Sequence, residues 1–263
     1  MRNGLYIAPF GELADPRVVA ELAHAAEAAG WDGLFVWDHM LRPVEEASHL
    51  GDPWISLAAA AVATDRILLG PLVTPPARRR VHKLIRETIA VDRLSNGRLI
   101  LGLGLGVDSG GELTRFAEMT DPVERGDLLD EAVAVLEAAW TGEEVNHRGR
   151  YLTVDGVSFL PRALQEPHVP MWFASRGNAP RRPLRRAALH GQGLHVVDAD
   201  REQIARMLDT IAEERGSLDG YDVAFSIPTG TADEYADWGL TRALHGTGPV
   251  ATRADVLAAI KGL

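Results

Sequence analysis

Cysteine is absent from this 263-residue sequence, which excludes disulfides, thiolate nucleophiles and cysteine-ligated metal sites. Lysine is nearly absent: Lys83 and Lys261 are the only two, and both fall on expected helices, so a Schiff-base lyase is disfavoured. No apolar run is long enough to span a bilayer. The opening residues, "MRNGLYIAPFGELADPR", lack the apolar core of a signal peptide. A basic surplus is missing too. The formal charge is 27 − 37 = −10, so neither nucleic acid nor an anionic membrane is an expected partner. These absences fit a cytoplasmic protein whose partner is a small molecule.

What is present is a large apolar fraction, 46% of the residues, arranged in alternating strand-like and helix-like segments. Strands are expected at residues 5–8, 33–37, 67–73, 98–106, 171–175, 193–197, 223–227 and 240–245. Helices are expected at 16–29, 54–63, 79–94, 123–140, 181–190, 201–215, 231–237 and 252–261. Asp15 before Pro16 reads as an N-cap followed by proline at the first helical position, and Gly30 ends that helix. Between the fourth helix and the fifth strand the period breaks. The stretch "EEVNHRGRYLTVDGVSFL" reads as an inserted β-hairpin region, about residues 143–160, with turns at 147–150 and 155–156.

Parallel strands need helical crossovers, and eight βα units close into an α/β fold of the (β/α)8 TIM-barrel type. The chain is therefore expected to be one domain, residues 1–263, with a doubly wound open sheet as the competing topology. In a TIM barrel the chemistry sits at the C-terminal ends of the strands. "GLFVWDHM" puts Asp38 and His39 at such an end, after a run that looks buried on both faces.

Three further strand ends stand out. "RLILGLGLGVDSGGE" carries leucines on one face and Gly102, Gly104 and Gly106 on the other. Bare backbone admits a ligand, or simply makes room for bulky neighbours in a narrow barrel. The order G-x-G-x-x-Val does not complete a dinucleotide fingerprint. "RILLGPLVTPPARRR" is expected to be a kinked, rigid segment, with Arg78, Arg79 and Arg80 either meeting an anion or facing water. In "PMWFASRGNAPRRPLRR" a strand ends at Ala174 and Ser175, and a helix opens near Pro180. Its free N–H groups, with Ser175 and Arg176, suit a phosphate; the alternative is ordinary capping by Asn178. His195 and His245 are expected on the same face. No metal site is expected, because no His-x-His pair follows the first strand and no carboxylate cluster has metal spacing.

The stretches "AEAAGWDGLFVWDH", "DRILLGPLVTPPARRR", "VDRLSNGRLILGLGLG" and "LLDEAVAVLEAAWTGEEVNHRGRYLTV" together resemble the bacterial luciferase-like family of flavin- and deazaflavin (F420)-dependent barrel oxidoreductases. The resemblance runs to about residue 197 and fades in the last three units. It implies FMN or F420 at the barrel mouth, and either hydride transfer to or from a small organic substrate or flavin-dependent monooxygenation. It also implies a non-prolyl cis peptide at a bulge ending the third strand, which maps to Leu72 and Val73. Gly104 and Gly106 would meet the ring or its side chain, and Ala174, Ser175, Arg176 and Gly177 the phosphate. Here the chain departs from the family's common Gly-Gly pattern. Val107 replaces the catalytic glutamate of some F420-dependent sugar-phosphate dehydrogenases, so their proton-donor mechanism is not supported.

Catalysis is assigned on this resemblance to His39, as a general acid or hydrogen-bond donor, and to Asp38, which would orient it or contact the ring. Phe10, Trp37 and Trp238 join His39 as expected walls of the mouth. Arginines 176, 181, 182, 185 and 186 suit the anionic tail of F420 and tip the cofactor choice slightly towards it. Relatives are commonly dimers through the helices after the second and third strands, so a homodimer is expected. The competing functions are a degenerate flavin-binding barrel and a cofactor-independent or metal-dependent isomerase or lyase.

Overall fold

Four aspartates, Asp15, Asp52, Asp121 and Asp200, each stand one residue before a helix and accept backbone N–H groups from its first turn. They open α1 (Pro16–Ala28), α2 (Pro53–Ala63), α4 (Pro122–Trp140) and α6 (Arg201–Arg215). The remaining helices are α3 (Val81–Leu94), α5 (Arg181–His190) and α7 (Arg253–Lys261). The N-terminus of α5 is the exception that matters below. Its N-cap is Pro180, and no side chain caps it. The computed structural model describes residues 1–41 and 49–262.

Eight parallel strands form the barrel: β1 (Arg2–Ile7), β2 (Gly33–Val36), β3 (Leu68–Pro71), β4 (Leu101–Leu103), β7 (Met171–Arg176), β8 (Gly193–Val197), β9 (Asp222–Ile227) and β10 (Arg242–Gly246). The ladder runs β3-β2-β1-β10-β9-β8-β7-β4. Parallel bridges Leu69–Leu99 and Thr74–Leu103 close it between β3 and β4. Between α4 and β7 the strands β5 (Glu144–Arg148) and β6 (Thr153–Ser158) pair antiparallel.

Side-chain alternation sorts the strands into two apolar layers. Leu34, Val36, Leu69, Leu101 and Leu194 face outward and pack with the helices. Phe35, Ile100, Trp172, Ala224 and Leu244 face inward and fill the barrel, with the Phe35 and Trp172 rings 5.2 Å apart. Both layers are needed to bury β2 completely, which is why its sequence is an unbroken apolar run.

Three expectations need correction. Residues 231–237 form not an α-helix but a 3₁₀ turn, Ala232–Tyr235. Phe225, Tyr235 and Trp238 stack on one another there, 4.7–6.0 Å between centroids. Trp238 is thus committed to this outer cluster and is not among the residues lining the mouth. Asp155 and Gly156 make no turn; both lie within β6, and the hairpin reverses where Gly149 N donates to Leu152 O at 2.9 Å.

Candidate active site

A cavity of about 580 Å³ opens at the C-terminal ends of the strands, walled by Tyr6, Trp37, Leu72, Val73, Phe173 and His195 among others. Its shape begins with a break in β3. The ladder to β2 ends at Pro71, after which Leu72 N donates to Val36 O at 2.8 Å and Thr74 N to Gly102 O at 2.9 Å. The peptide bond Leu72–Val73 is cis, and the Tyr6 hydroxyl donates to Leu72 O at 2.8 Å. Both Leu72 and Val73 line the cavity.

This bulge explains most of the bare face of β4. A Cβ on Gly102 would collide with the Pro71 carbonyl, and one on Gly104 would stand 2.6 Å from the Val73 side chain. The chain itself needs these two glycines, quite apart from any ligand. Gly106 adopts φ +73°, a left-handed conformation that favours glycine, as β4 turns into the loop that follows. Gly104 and Gly106 still border the cavity. Arg125 fixes this turn by donating from Nη1 to the carbonyls of Leu105 and Gly106, both at 2.9 Å.

The next feature is a buried cluster of charge. Asp38 is not free: its carboxylate accepts from Thr74 Oγ1 at 2.6 Å and from the Arg79 guanidinium at 2.7–3.1 Å. His39 is oriented by another residue. Its Nδ1 lies 2.9 Å from Glu112 Oε2, while Glu112 Oε1 accepts from Met40 N, Leu41 N and Arg78 Nη1 at 2.6, 3.2 and 3.0 Å. Arg78 also donates to the Asp38 carbonyl at 2.6 Å. The expectation that Asp38 orients His39 is therefore replaced by a Glu112–His39 pair. Of the two alternatives for Arg78 and Arg79, an anion or water, the structure shows carboxylates of the chain itself, Glu112 and Asp38. Burial alone would raise the Glu112 carboxyl, but the hydrogen bond with His39, the Arg78 charge and the backbone N–H donors outweigh it and hold it below its ordinary range.

With Nδ1 held by a carboxylate, the neutral His39 ring carries its proton there and offers Nε2 as an acceptor. His39 lines the cavity, and its Nε2 has no protein partner among the described residues. Phe10 and Trp37 brace the ring, with centroids 5.8 and 5.7 Å away. Phe10 does so from a buried position behind the wall.

At the end of β7, Ala174, Ser175 and Arg176 border the cavity with Asn178, Ala179 and Pro180, directly below the uncapped start of α5. Asn178 does not cap the helix. Ser175 Oγ is buried with no hydrogen-bond partner among the described residues. Gly177 is outside the lining; a Cβ there would strike Gln203 and Ala199 at the start of α6, so packing accounts for this glycine. The expected arginine cluster is already neutralised. Arg176 pairs with Asp198, Arg181 and Arg185 with Glu214, and Arg182 and Arg186 with Asp130. Most of these pairs are exposed and weak enough to exchange for a stronger anion.

His195 and His245 separate. His195 faces inward, lines the cavity and leaves Nδ1 buried without a partner; burial pushes its pKa down to about 4. His245 points outward, where Nε2 meets Asn3 Oδ1 at 2.9 Å and the ring packs on Trp31 at 5.1 Å. It belongs to the layer under the helices, not to the mouth. Sequence reasoning missed Glu112 and Tyr6. Among the described residues no cluster of three or more histidine and carboxylate groups is placed to hold a metal ion.

The buried orphan atoms test what the cavity could hold. Among the described residues Ser175 Oγ, His195 Nδ1 and Trp37 Nε1 all lack partners at its wall, and buried polar groups are rarely left so. A ligand with a phosphate at the β7 end and a polar heterocycle further in would satisfy them.

The sequence model of the luciferase-like monooxygenase family matches residues 4–238. An F420-dependent glucose-6-phosphate dehydrogenase from Microbacterium testaceum is 29% identical over 167 residues, 62% of this chain and 48% of that protein. The chain spans about half the length of the first curated relatives it matches. In fold it is similar to the coenzyme F420 dependent tetrahydromethanopterin reductase from Methanopyrus kandleri, with a TM-score of 0.81 and 17% identity over 99% of this chain and 97% of that one. The monooxygenase RslO1 from Streptomyces bottropensis gives 0.80 and 19% over the same shares.

Proposed function

The chain belongs to the luciferase-like monooxygenase family, and from that premise we propose that it is an oxidoreductase holding F420 or FMN at the mouth of its barrel. The observation that carries this reading is the cavity in which Ser175 Oγ and His195 Nδ1 are buried without partners among the described residues, beside an uncapped helix start. Ser175, Arg176 and the free N–H groups at the start of α5 bind the phosphate. Leu72, Val73, Gly104, Gly106 and Ala174 give the ring an apolar bed. Gly177 acts through the loop it lets pack against α6. F420 is favoured over FMN, because the curated relative that matches 62% of this chain is F420-dependent.

Bound F420 supplies two-electron hydride chemistry, and bound FMN adds oxygen chemistry. The protein's part is done by the residues named above. His39 moves or shares a proton at its Nε2 with a small organic substrate, and Glu112 keeps that nitrogen available. Asp38 serves as a positioning residue that anchors Arg79 and Thr74 under the β2 loop. The whole chain acts as one barrel domain, residues 1–263, with the region about 143–160 inserted. No described helix is long and apolar enough to cross a membrane, and the lack of cysteine suits a reducing compartment such as the cytoplasm.

The test is titration of the purified protein with F420 and, separately, with FMN, followed by quenching of cofactor fluorescence. Micromolar or tighter binding of either is expected, with F420 the tighter. Binding of neither overturns the reading.

A homodimer is part of the same proposal. Ile55 and Val62 of α2 are 59% and 69% exposed, and Ala58 and Ala59 between them complete an apolar stripe on one helix face. Replacing Ile55 and Val62 together by aspartate is expected to turn a dimer into a monomer by light scattering. A wild-type protein that is already monomeric removes this part.

A further inference from the structure

On the inner face of the barrel just below the mouth, His195 is flanked by small residues. β7 and β8 pair so that Ala174 lies beside His195, and β8 and β9 so that Ala224 lies on its other side. Gly104 completes the row; a Cβ added there would stand 3.5 Å from that of Ala174. Among these residues without polar side chains His195 stands alone, 4% exposed, with its ring against the edge of Tyr6 at 5.7 Å. The Tyr6 hydroxyl is already spent on Leu72 O. Nothing in the described protein meets His195 Nδ1.

An aliphatic side chain would fill this place with no buried polar atom left over. Carrying an imidazole here costs stability unless something bonds to it. Burial also keeps the ring uncharged, since its pKa is pushed down to about 4 and no carboxylate contributes to the shift. A neutral imidazole presents one donor and one acceptor, and suits a carbonyl, hydroxyl or ring N–H rather than a phosphate. The phosphate-type groups, Ser175 and Arg176, lie one and two residues further along the neighbouring strand.

We propose that His195 is a binding residue for the cofactor, taking a hydrogen bond from or giving one to an uncharged polar atom of the deazaflavin or flavin that reaches into the barrel. The proposal rests on the F420 or FMN reading above. It gives the site a second polar anchor, set apart from the phosphate and from His39. The residue holds the cofactor; it has no part in moving the substrate's proton.

The experiment compares wild type, His195→Leu and His195→Gln by fluorescence titration with F420 and with FMN, and measures the melting temperature of each cofactor-free protein. His195→Leu is expected to melt higher than wild type, because an unpartnered polar group has been removed. It is also expected to bind the cofactor at least about tenfold more weakly, the loss of roughly one hydrogen bond. His195→Gln, which keeps a donor and an acceptor, is expected to bind within about threefold of wild type. A His195→Leu protein that binds as tightly as wild type, or that melts lower or fails to fold, overturns the proposal while leaving the F420 or FMN reading in place. Wild-type protein that binds neither cofactor overturns both.

Discussion

His39→Ala is expected to lower turnover by about 10²–10⁴-fold while leaving cofactor affinity within about twofold of wild type. The measurement uses reduced F420 against a panel of small ketones, enones and alcohols, with oxygen uptake as the assay if FMN proves the tighter ligand. The reason lies in how the ring is held. Nδ1 is committed to Glu112 and the flanks to Phe10 and Trp37, so only Nε2 is left to act in the cavity. Removing the ring takes away one contact from Glu112, which keeps its three other donors through Oε1. The cost in folding stability is therefore about 1 kcal/mol. Ser175 and Arg176, the proposed phosphate-binding residues, belong to β7, and no hydrogen bond or ion pair among the described residues links them to His39. Equal losses of stability, cofactor affinity and turnover would instead make His39 a packing residue.

Much of the fold was legible because its signals are local. Asp15 followed by Pro16 fixed one helix start to the residue, and the same Asp-Pro pair recurs before α2 and α4. Strand 33–37 was visible as a run buried on both faces. The helix expected at 231–237 was not formed, since three aromatics cover that part of the barrel with a 3₁₀ turn. The site was harder to read, because its partners are distant in sequence. Asp38 and His39 are neighbours in the chain, which suggested a pair; in the fold they turn to Arg79 and to Glu112, and the second is 73 residues away. Glu112 sits in a glycine-rich loop with no periodicity, so nothing local marked it. The arginines after β7 looked like a receptor for an anionic tail only while the carboxylates of α4 and α6 that neutralise them were out of sight. Counting charges along a helix finds the face but not its partner.

Glu112→Gln separates what this carboxylate does for the fold from what it does for His39. Three donors converge on Oε1: Met40 N, Leu41 N and Arg78 Nη1. His39 alone meets Oε2. A glutamine must keep its oxygen towards the three donors, which forces its NH₂ towards Nδ1 of His39. Nδ1 then has to accept, and the ring proton moves to Nε2, the nitrogen that faces the cavity. The protein should fold and bind cofactor much as wild type does, yet lose about 10²-fold or more in turnover, with a changed rate–pH profile. Glu112→Ala is a different change. It leaves the nearly buried Arg78 guanidinium with Asp38 alone and strands both loop N–H groups, and should cost about 3–5 kcal/mol of stability, read as a lowered melting temperature. Full turnover and an unaltered pH profile in Glu112→Gln would show that the orientation of His39 is immaterial to the reaction. A collapse of folding in Glu112→Gln equal to that in Glu112→Ala would make the negative charge a structural requirement, because the amide keeps every hydrogen bond on the Oε1 side.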